Sequence, residues 1–487
     1  MSILLTTGIS YSNSFPHIGH MYESILADFL KKQLLLLGND VKLLTGTDEH
    51  GKKIQDSAKS KNMDPKQFCD EISQYFKTMN DKLKISYNHF IRTTDEHHKN
   101  IVQKCIIQST KNNDIYLGEY KGYYCIREET FITEDAAKLT DYKDPITNTP
   151  YEYLCEESYF FKLSNYINEI QKTITSIVPI KYQTEVKDRL ISLKELNDLS
   201  ISRTSFDWGI QFPNDDKHII FVWVDALFNY FSGSKIIFGN KKPDKIIHLI
   251  GKDIIWFHSI IYPALLKSCL NDFFPTNILV HGFICDKNGK KMSKSVGNVI
   301  SPDDLEQYPL EAIRFYMLSE SNLGEDLDFS IDNMVNKYNN ILIDSFGNIV
   351  QRLGNLCIEY IDDINKLEYD EKYDISHIIQ SINNYDLLKY FNLVFNLVKE
   401  INIYLTNEKP WDKNIEFSKK IIILKTCLHK LNFITKLLYP YIPDKINEIR
   451  HIFGFNEFFN LNDNNVDNLI FTFKKKQIIF NKLLINK

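Results

Sequence analysis

Residues 3–45 read ILLTTGISYSNSFPHIGHMYESILADFLKKQLLLLGNDVKLLT, and this stretch decides the fold. Residues 3–10 are apolar and β-prone, as a buried strand requires. Residues 11–16 form a loop. Ile18, Met21, Tyr22, Ile25, Leu26, Phe29 and Leu30 then recur at helical spacing, which predicts a helix over 17–37, ended by Gly38. A second strand over 41–45 leads into Gly46-Thr47-Asp48-Glu49-His50-Gly51. Working outward, a helix is expected over 65–83, a strand over 89–92 and a helix over 95–109. This β-α-β-α-β-α order argues for a parallel, doubly wound sheet.

The alternation then stops. Residues 116–216 carry short aromatic strands near 120–126 and 151–163, with turns at Asp144-Pro145 and Thr149-Pro150, and read as an inserted subdomain. Strand patterns resume at 219–224 and 245–250, followed by a helix over 254–269 and a strand over 278–283. Beyond residue 333 the pattern is helical, punctuated by Pro410, Pro440 and Pro443. The expected fold is therefore α/β: a split Rossmann-type doubly wound sheet over 1–115 and 217–332, an inserted connective subdomain over 116–216, and an α-helical domain over 333–487. A length of 487 residues fits about three domains.

Composition is that of a globular protein, 43% hydrophobic and 25% charged with net charge −5, which excludes a wholly basic nucleic-acid coat. The charge is uneven: −6 over residues 353–386 and +7 over 409–487. The most apolar run, 245–270, is cut by Lys252, Asp253, His258 and Lys267, so no membrane span is expected. Met1 leads straight into a strand, so no targeting signal is expected. The eight cysteines include no CxxC pair. That spacing suits a reducing compartment, read as the cytoplasm, and offers no local set of four zinc ligands.

Two motifs carry chemistry. In Pro16-His17-Ile18-Gly19-His20 two histidines share the first turn of a helix that follows a strand, where unpaired N–H groups and the helix dipole favour a phosphate. Gly19 leaves room for a flat base. Taken alone, the motif equally fits a histidine-rich helix cap with a packing glycine. Lys290-Lys291-Met292-Ser293-Lys294-Ser295 follows a strand and an Asn288-Gly289 turn. Its lysines suit a phosphate whose charge grows during reaction, and the plain alternative is a solvated basic loop. Each motif follows a strand of one parallel sheet, and ligands bind beyond the carboxyl ends of such strands. His20 and Lys294 are thus expected to serve one crevice.

With both motifs in place, the chain resembles the class I aminoacyl-tRNA synthetases, and within them the methionyl-tRNA synthetase family of the bacterial and organellar type. The resemblance runs from residue 3 to about 443 through residues 11–20, 43–51, 90–95, 198–208, 221–230, 248–258 and 291–298. It implies ATP-dependent attachment of methionine to tRNA(Met) through methionyl-adenylate, for initiation and elongation. It implies catalytic roles for His17, His20, Lys291 and Lys294, with Asn13, Gly19 and Ser293 joining them around ATP. It implies a methionine site of Tyr11, Asp48, Trp223, Ala226, Tyr230, Asp253, Ile254 and His258. Leu227 stands where some relatives have proline. Asn348, Arg352 and Trp411, the last at a helix start after Pro410, are implied to read the anticodon. Magnesium is expected with ATP. No structural zinc is expected, because residues 144–150 replace the knuckle many relatives carry. With no appended oligonucleotide-binding module in view, a monomer is expected.

Each site residue also has a packing alternative: aromatics at the spacing of Trp223 and Tyr230 often only fill a core, and a lone histidine such as His258 is often a satisfied core residue. Two rival functions share part of this pattern. A small-molecule nucleotidyltransferase with the same HxGH turn is opposed by the long helical second half. A catalytically silent, RNA-binding synthetase relative is opposed by two intact motifs.

Overall fold

The computed structural model describes residues 1–487 except 126–129, 133, 146, 193–195, 271, 293–297, 369–372, 456–459, 462–470, 473–478 and 485–487. The chain divides into two compact units. A sheet unit comprises Ser2–Pro16 and Lys42–Val280. A helical unit comprises Met1, His17–Val41 and His281–Lys487.

The sheet unit is built on seven strands: β1 (Ser2–Thr7), β2 (Ser10–Tyr11), β3 (Asp40–Asp48), β4 (His89–Arg92), β5 (Ile177–Val178), β6 (Lys245–Gly251) and β7 (Asn277–His281). Their order is β2-β3-β1-β6-β7-β5, with β4 also paired to β3. The pairs β1–β6, β2–β3, β3–β4 and β7–β5 are all parallel. Such strands are covered on both faces, so they read as continuous apolar runs. Leu4, Leu5, Leu43, Leu44, Ile247 and Leu249 are accordingly fully buried. Gly46 lies opposite Ile91, and a Cβ there would sit 2.0 Å from the Ile91 carbonyl oxygen. Only glycine lets β3 approach β4 this closely.

Between β4 and β6 stand two antiparallel sheets. One has four strands, in the order Thr130–Ile132, Ile115–Cys125, Glu152–Phe161, Leu199–Ser200. The other has three, Ser202–Arg203, Asp215–Ile220 and Gln211–Phe212, with the second in the centre. Two expectations need correction here. Residues 219–224 are not one strand of the parallel sheet: the strand ends at Ile220 in the antiparallel three-stranded sheet, and Val222–Leu227 is helical. A short β-branched apolar run is ambiguous between the two states. Second, the span read as one insert contributes β5 to the parallel sheet, and a two-residue strand carries no periodicity to reveal it.

In the helical unit, the helix Ile18–Leu36 is held by a buried ion cluster. Asp28 bonds Lys32, and accepts from Arg314 Nη2 at 2.7 Å. Arg314 sits on the helix Leu310–Glu320 and also donates to the carbonyls of Tyr441 and Pro440, at 3.0 and 3.1 Å. The helices Leu387–Glu408 and Phe417–Leu438 pack together. The stripe Val335, Tyr338, Leu342, Phe346, Ile349 and Leu353 is buried throughout.

Candidate active site

In the sheet unit, the side chains expected at the methionine site begin at the carboxyl end of β3. Asp48 is its last residue, is buried, and stands in register with Tyr11 of β2. The Ser12 amide donates to the Asp48 carbonyl at 2.8 Å, fixing the loop that leaves β2. Next to Asp48, the buried carboxylate of Glu49 accepts from Thr47, Thr94 and both Nε and Nη2 of Arg92, at 2.5–2.9 Å. A carboxylate with every lone pair engaged cannot drift, so the strand end is held rigidly.

The helix Val222–Leu227 supplies Trp223 and Ala226, and Asn229–Phe238 supplies Tyr230. The half-buried Trp223 indole stacks on Phe257, with centroids 3.6 Å apart and an interplanar angle of 9°. The helix expected over 254–269 is not one uniform helix: residues 252–269 run as a 3-10 turn Lys252–Ile254, a π-helical turn Phe257–Ile261 and an α-helix Tyr262–Cys269. Such π turns recur at functional sites because they re-aim side chains. Here the turn includes His258, whose Nδ1 lies 2.9 Å from the Ile254 carbonyl. A carbonyl only accepts, so Nδ1 carries the proton and Nε2 accepts the Tyr230 hydroxyl at 2.7 Å. Burial pushes the His258 pKa down to about 4, only partly opposed by its bond to Ile254. The imidazole is therefore neutral at pH 7. Ile254 is half-buried, while Asp253 is exposed and so is Asn13.

In the helical unit, His17 caps the helix Ile18–Leu36. Its Nδ1 accepts the Gly19 amide at 3.1 Å, and its own amide donates to His20 Nδ1 at 3.1 Å. The two rings lie 3.9 Å apart. With Nδ1 accepting on both rings, the neutral tautomer of each carries its proton at Nε2, a donor suited to a phosphate oxygen. A Cβ on Gly19 would stand 2.9 Å from His17 Cε1, so any larger residue displaces that ring. The cap reading and the ligand reading of this motif are thus one geometry.

The lysine motif begins in the same unit. Lys291 is exposed, bridges Cys285, and places Nζ 3.4 Å from the Phe283 ring centroid. The loop base is tied by Asp286, which accepts from Asn298 Nδ2 and from the Asn288 and Lys290 amides; these bonds hold its carboxyl below the usual range. Ser293 and Lys294 lie outside the described residues.

Further along, Arg352 sits one turn after the exposed Asn348 on the helix Asn348–Cys357. Its guanidinium lies 4.9 Å over the ring of Trp411, which is 45% exposed. Trp411 is not at a helix start as expected, but in the turn between the helices Leu387–Glu408 and Phe417–Leu438. Lys409, in the left-handed region at φ 45°, ends the first of these. Where a knuckle was expected to be replaced, Cys125 donates to Asp144 at 3.4 Å, and Asp144 and Thr149 close a turn. Phe257 and Glu49 were not singled out from sequence. Each is adjacent to a residue that was, which is the only signal the sequence offers for them.

Residues 3–140 and 135–354 match the family described as tRNA synthetases class I (M). The chain is 36% identical over 477 residues to the methionine–tRNA ligase of Caldanaerobacter subterraneus subsp. tengcongensis, covering 93% of this chain and 74% of that one. It is 34% identical to that of Rickettsia conorii, covering 93% of each. A crystal structure of Mycobacterium tuberculosis methionyl-tRNA synthetase bound by methionyl-adenylate superposes with a TM-score of 0.89 at 29% identity, over 98% of this chain and 99% of that one.

Proposed function

The chain belongs to the class I methionyl-tRNA synthetases and attaches methionine to tRNA through methionyl-adenylate, and on that premise we propose how its residues divide the reaction. Asp48 takes the methionine ammonium, and Tyr11 borders the same strand end. Trp223, Ala226, Tyr230, Ile254 and His258 enclose the thioether, with Asp253 at the rim. Sulfur packs well against ring edges, and a charged imidazole beside it would be poorly matched. The observation that carries this reading is the neutral His258, fixed as a tautomer between Ile254 and Tyr230.

A carboxylate oxygen of methionine attacks the α-phosphorus of ATP in line. The bond to the bridging oxygen breaks and pyrophosphate leaves. A hydroxyl of the terminal adenosine of tRNA, in this class first the 2′-OH, then attacks the acyl carbon and releases AMP. No covalent enzyme intermediate is needed. His17 and His20 donate to the ATP phosphates, with Asn13 and Gly19 lining the nucleotide. Ser293 contributes to holding ATP, and Lys291 and Lys294 stabilise the departing pyrophosphate, so catalysis is positioning and charge stabilisation. Magnesium enters as part of the ATP substrate, keeping most of its waters.

Asn348, Arg352 and Trp411 read the anticodon of tRNA(Met). An arginine plane over a partly exposed indole is a surface on which a splayed base can stack. The proposed working state is a cytoplasmic monomer, checked by light scattering of the purified protein. Pyrophosphate exchange measured across the amino acids, followed by charging of tRNAs with exchanged anticodons, tests the whole assignment. Exchange with an amino acid other than methionine at equal efficiency overturns the thioether site. Charging indifferent to the anticodon overturns the roles of Asn348, Arg352 and Trp411.

A further inference from the structure

Two stretches that define the methionine site, residues 43–51 and 221–230, are joined by a group the reaction itself does not use. The Asp225 carboxylate is fully buried on the helix Val222–Leu227, between Trp223 and Ala226. Its Oδ2 lies 2.6 Å from His50 Nδ1, and its Oδ1 lies 2.7 Å from His98 Nε2. A carboxylate only accepts, so both imidazoles present N–H groups to it. His98, on the helix Glu96–Lys111, extends the chain through Nδ1 to the Ser232 hydroxyl at 2.7 Å, and Ser232 Oγ also lies 3.1 Å from the Asn229 carbonyl. Burial alone would raise the Asp225 pKa; His50 and His98 outweigh it and hold the carboxyl below its usual range. All of these side chains lie in the sheet unit.

We propose that Asp225 is a positioning residue for methionine activation: bonded to His50, it fixes the span between Asp48, two residues before His50, and the thioether wall formed by Trp223 and Ala226. This rests on the roles given above to those residues. Methionine is flexible along its side chain, so a site that grips the ammonium and the sulfur separately selects by the distance between its grips. A buried, doubly hydrogen-bonded carboxylate sets such a distance better than packing alone, because each bond is directional and charge-assisted. His98 and Ser232 brace the carboxylate from the side away from His50 in sequence, tying it to the helix that carries Tyr230.

The test is Asp225→Asn, assayed by ATP–pyrophosphate exchange. The amide keeps the shape but offers one acceptor where two imidazoles need one each. The expected result is a rise of about tenfold in KM for methionine, on the scale of one charge-assisted hydrogen bond lost, while KM for ATP moves less than about twofold. Discrimination against ethionine, one methylene longer, should fall as the span loosens. His50→Leu should share these effects and add little in the Asp225→Asn background, as coupled residues do. If Asp225→Asn does not fold, His50→Leu alone carries the same expectation, since it removes the N–H given to Asp225 and leaves His98 in place. Equal shifts in both KM values, or an unchanged methionine KM and ethionine ratio, overturn the proposal. Asp48→Asn separates this from failure of the underlying reading. If it leaves methionine KM unchanged, the site assignment is wrong; if it raises KM while Asp225→Asn does not, only the positioning role is wrong.

Discussion

His258 makes the stability of this chain depend on pH in a way that can be worked out. Its folded-state pKa is about 4, against about 6.5 for a free histidine. In the folded chain the ring stays neutral down to that value, while in the unfolded chain it binds a proton below about 6.5. The stability tied to the neutral ring is therefore fully present above pH 6.5 and is lost as pH falls towards 4. The full difference is about 3 kcal/mol, of which about 2 kcal/mol is lost between pH 7 and pH 5. Replacing His258 with Gln keeps an acceptor for the Tyr230 hydroxyl and a donor for the Ile254 carbonyl but removes the titration. Urea unfolding of the parent and of His258→Gln at pH 7 and pH 5 gives the difference of differences. Other buried histidines with lowered pKa, such as His429, contribute to both proteins and largely cancel. The parent should lose about 2 kcal/mol more than the variant on acidification. Equal losses in the two proteins refute the buried neutral imidazole, and with it the uncharged wall proposed for the thioether.

Three further outcomes are expected. Lys294→Ala should cost at least ~2 kcal/mol of transition-state stabilisation, scaled from one lost oxyanion donor, and unchanged methionine-dependent pyrophosphate exchange would sink its role. Gly46→Ala forces a methyl onto the Ile91 carbonyl, and should destabilise by about 1–3 kcal/mol or more as β3 and β4 part; a urea midpoint equal to the parent's would contradict the register. Asp28→Asn strands the buried Lys32 and Arg314 without their shared anion and should cost about 3–5 kcal/mol, read as a large drop in thermal midpoint.

The strands and helices that carry strong periodicity were legible. The helix Ile18–Leu36, the strand Lys245–Gly251 and the helix Pro65–Lys82 sit within a residue or two of expectation. What escaped has physical reasons. The helix Lys52–Ser60 buries only Ile54 and Ala58, two side chains on one face of a polar segment, which is too little pattern to read. The strand Ile177–Val178 is defined by its partner in β7 rather than by its own residues. Residues 219–224 join a strand end to a helix start through an unbroken apolar run. In the site, the residue types were readable from the motifs, but their wiring was not. Asp225 meets His50 across 175 positions and His98 across 127, and nothing local marks those pairings. The approach of Arg352 to the Trp411 ring is likewise a product of the helical packing, not of either neighbourhood in the sequence.

The anchoring of Arg314 bears on how such a protein can be taken apart. Its guanidinium joins Asp28, eight positions after His20, to the carbonyls of Pro440 and Tyr441, and Phe29 packs edge-on against Tyr441 at 4.7 Å. A truncation at the apparent border near residue 332 would remove those carbonyls and that ring while leaving Asp28 and Arg314 behind. Loss of charging in such a fragment would report a helix cut from its mooring as much as the loss of the residues proposed to read the anticodon. Point substitution, not truncation, is therefore the means of dissecting the activity.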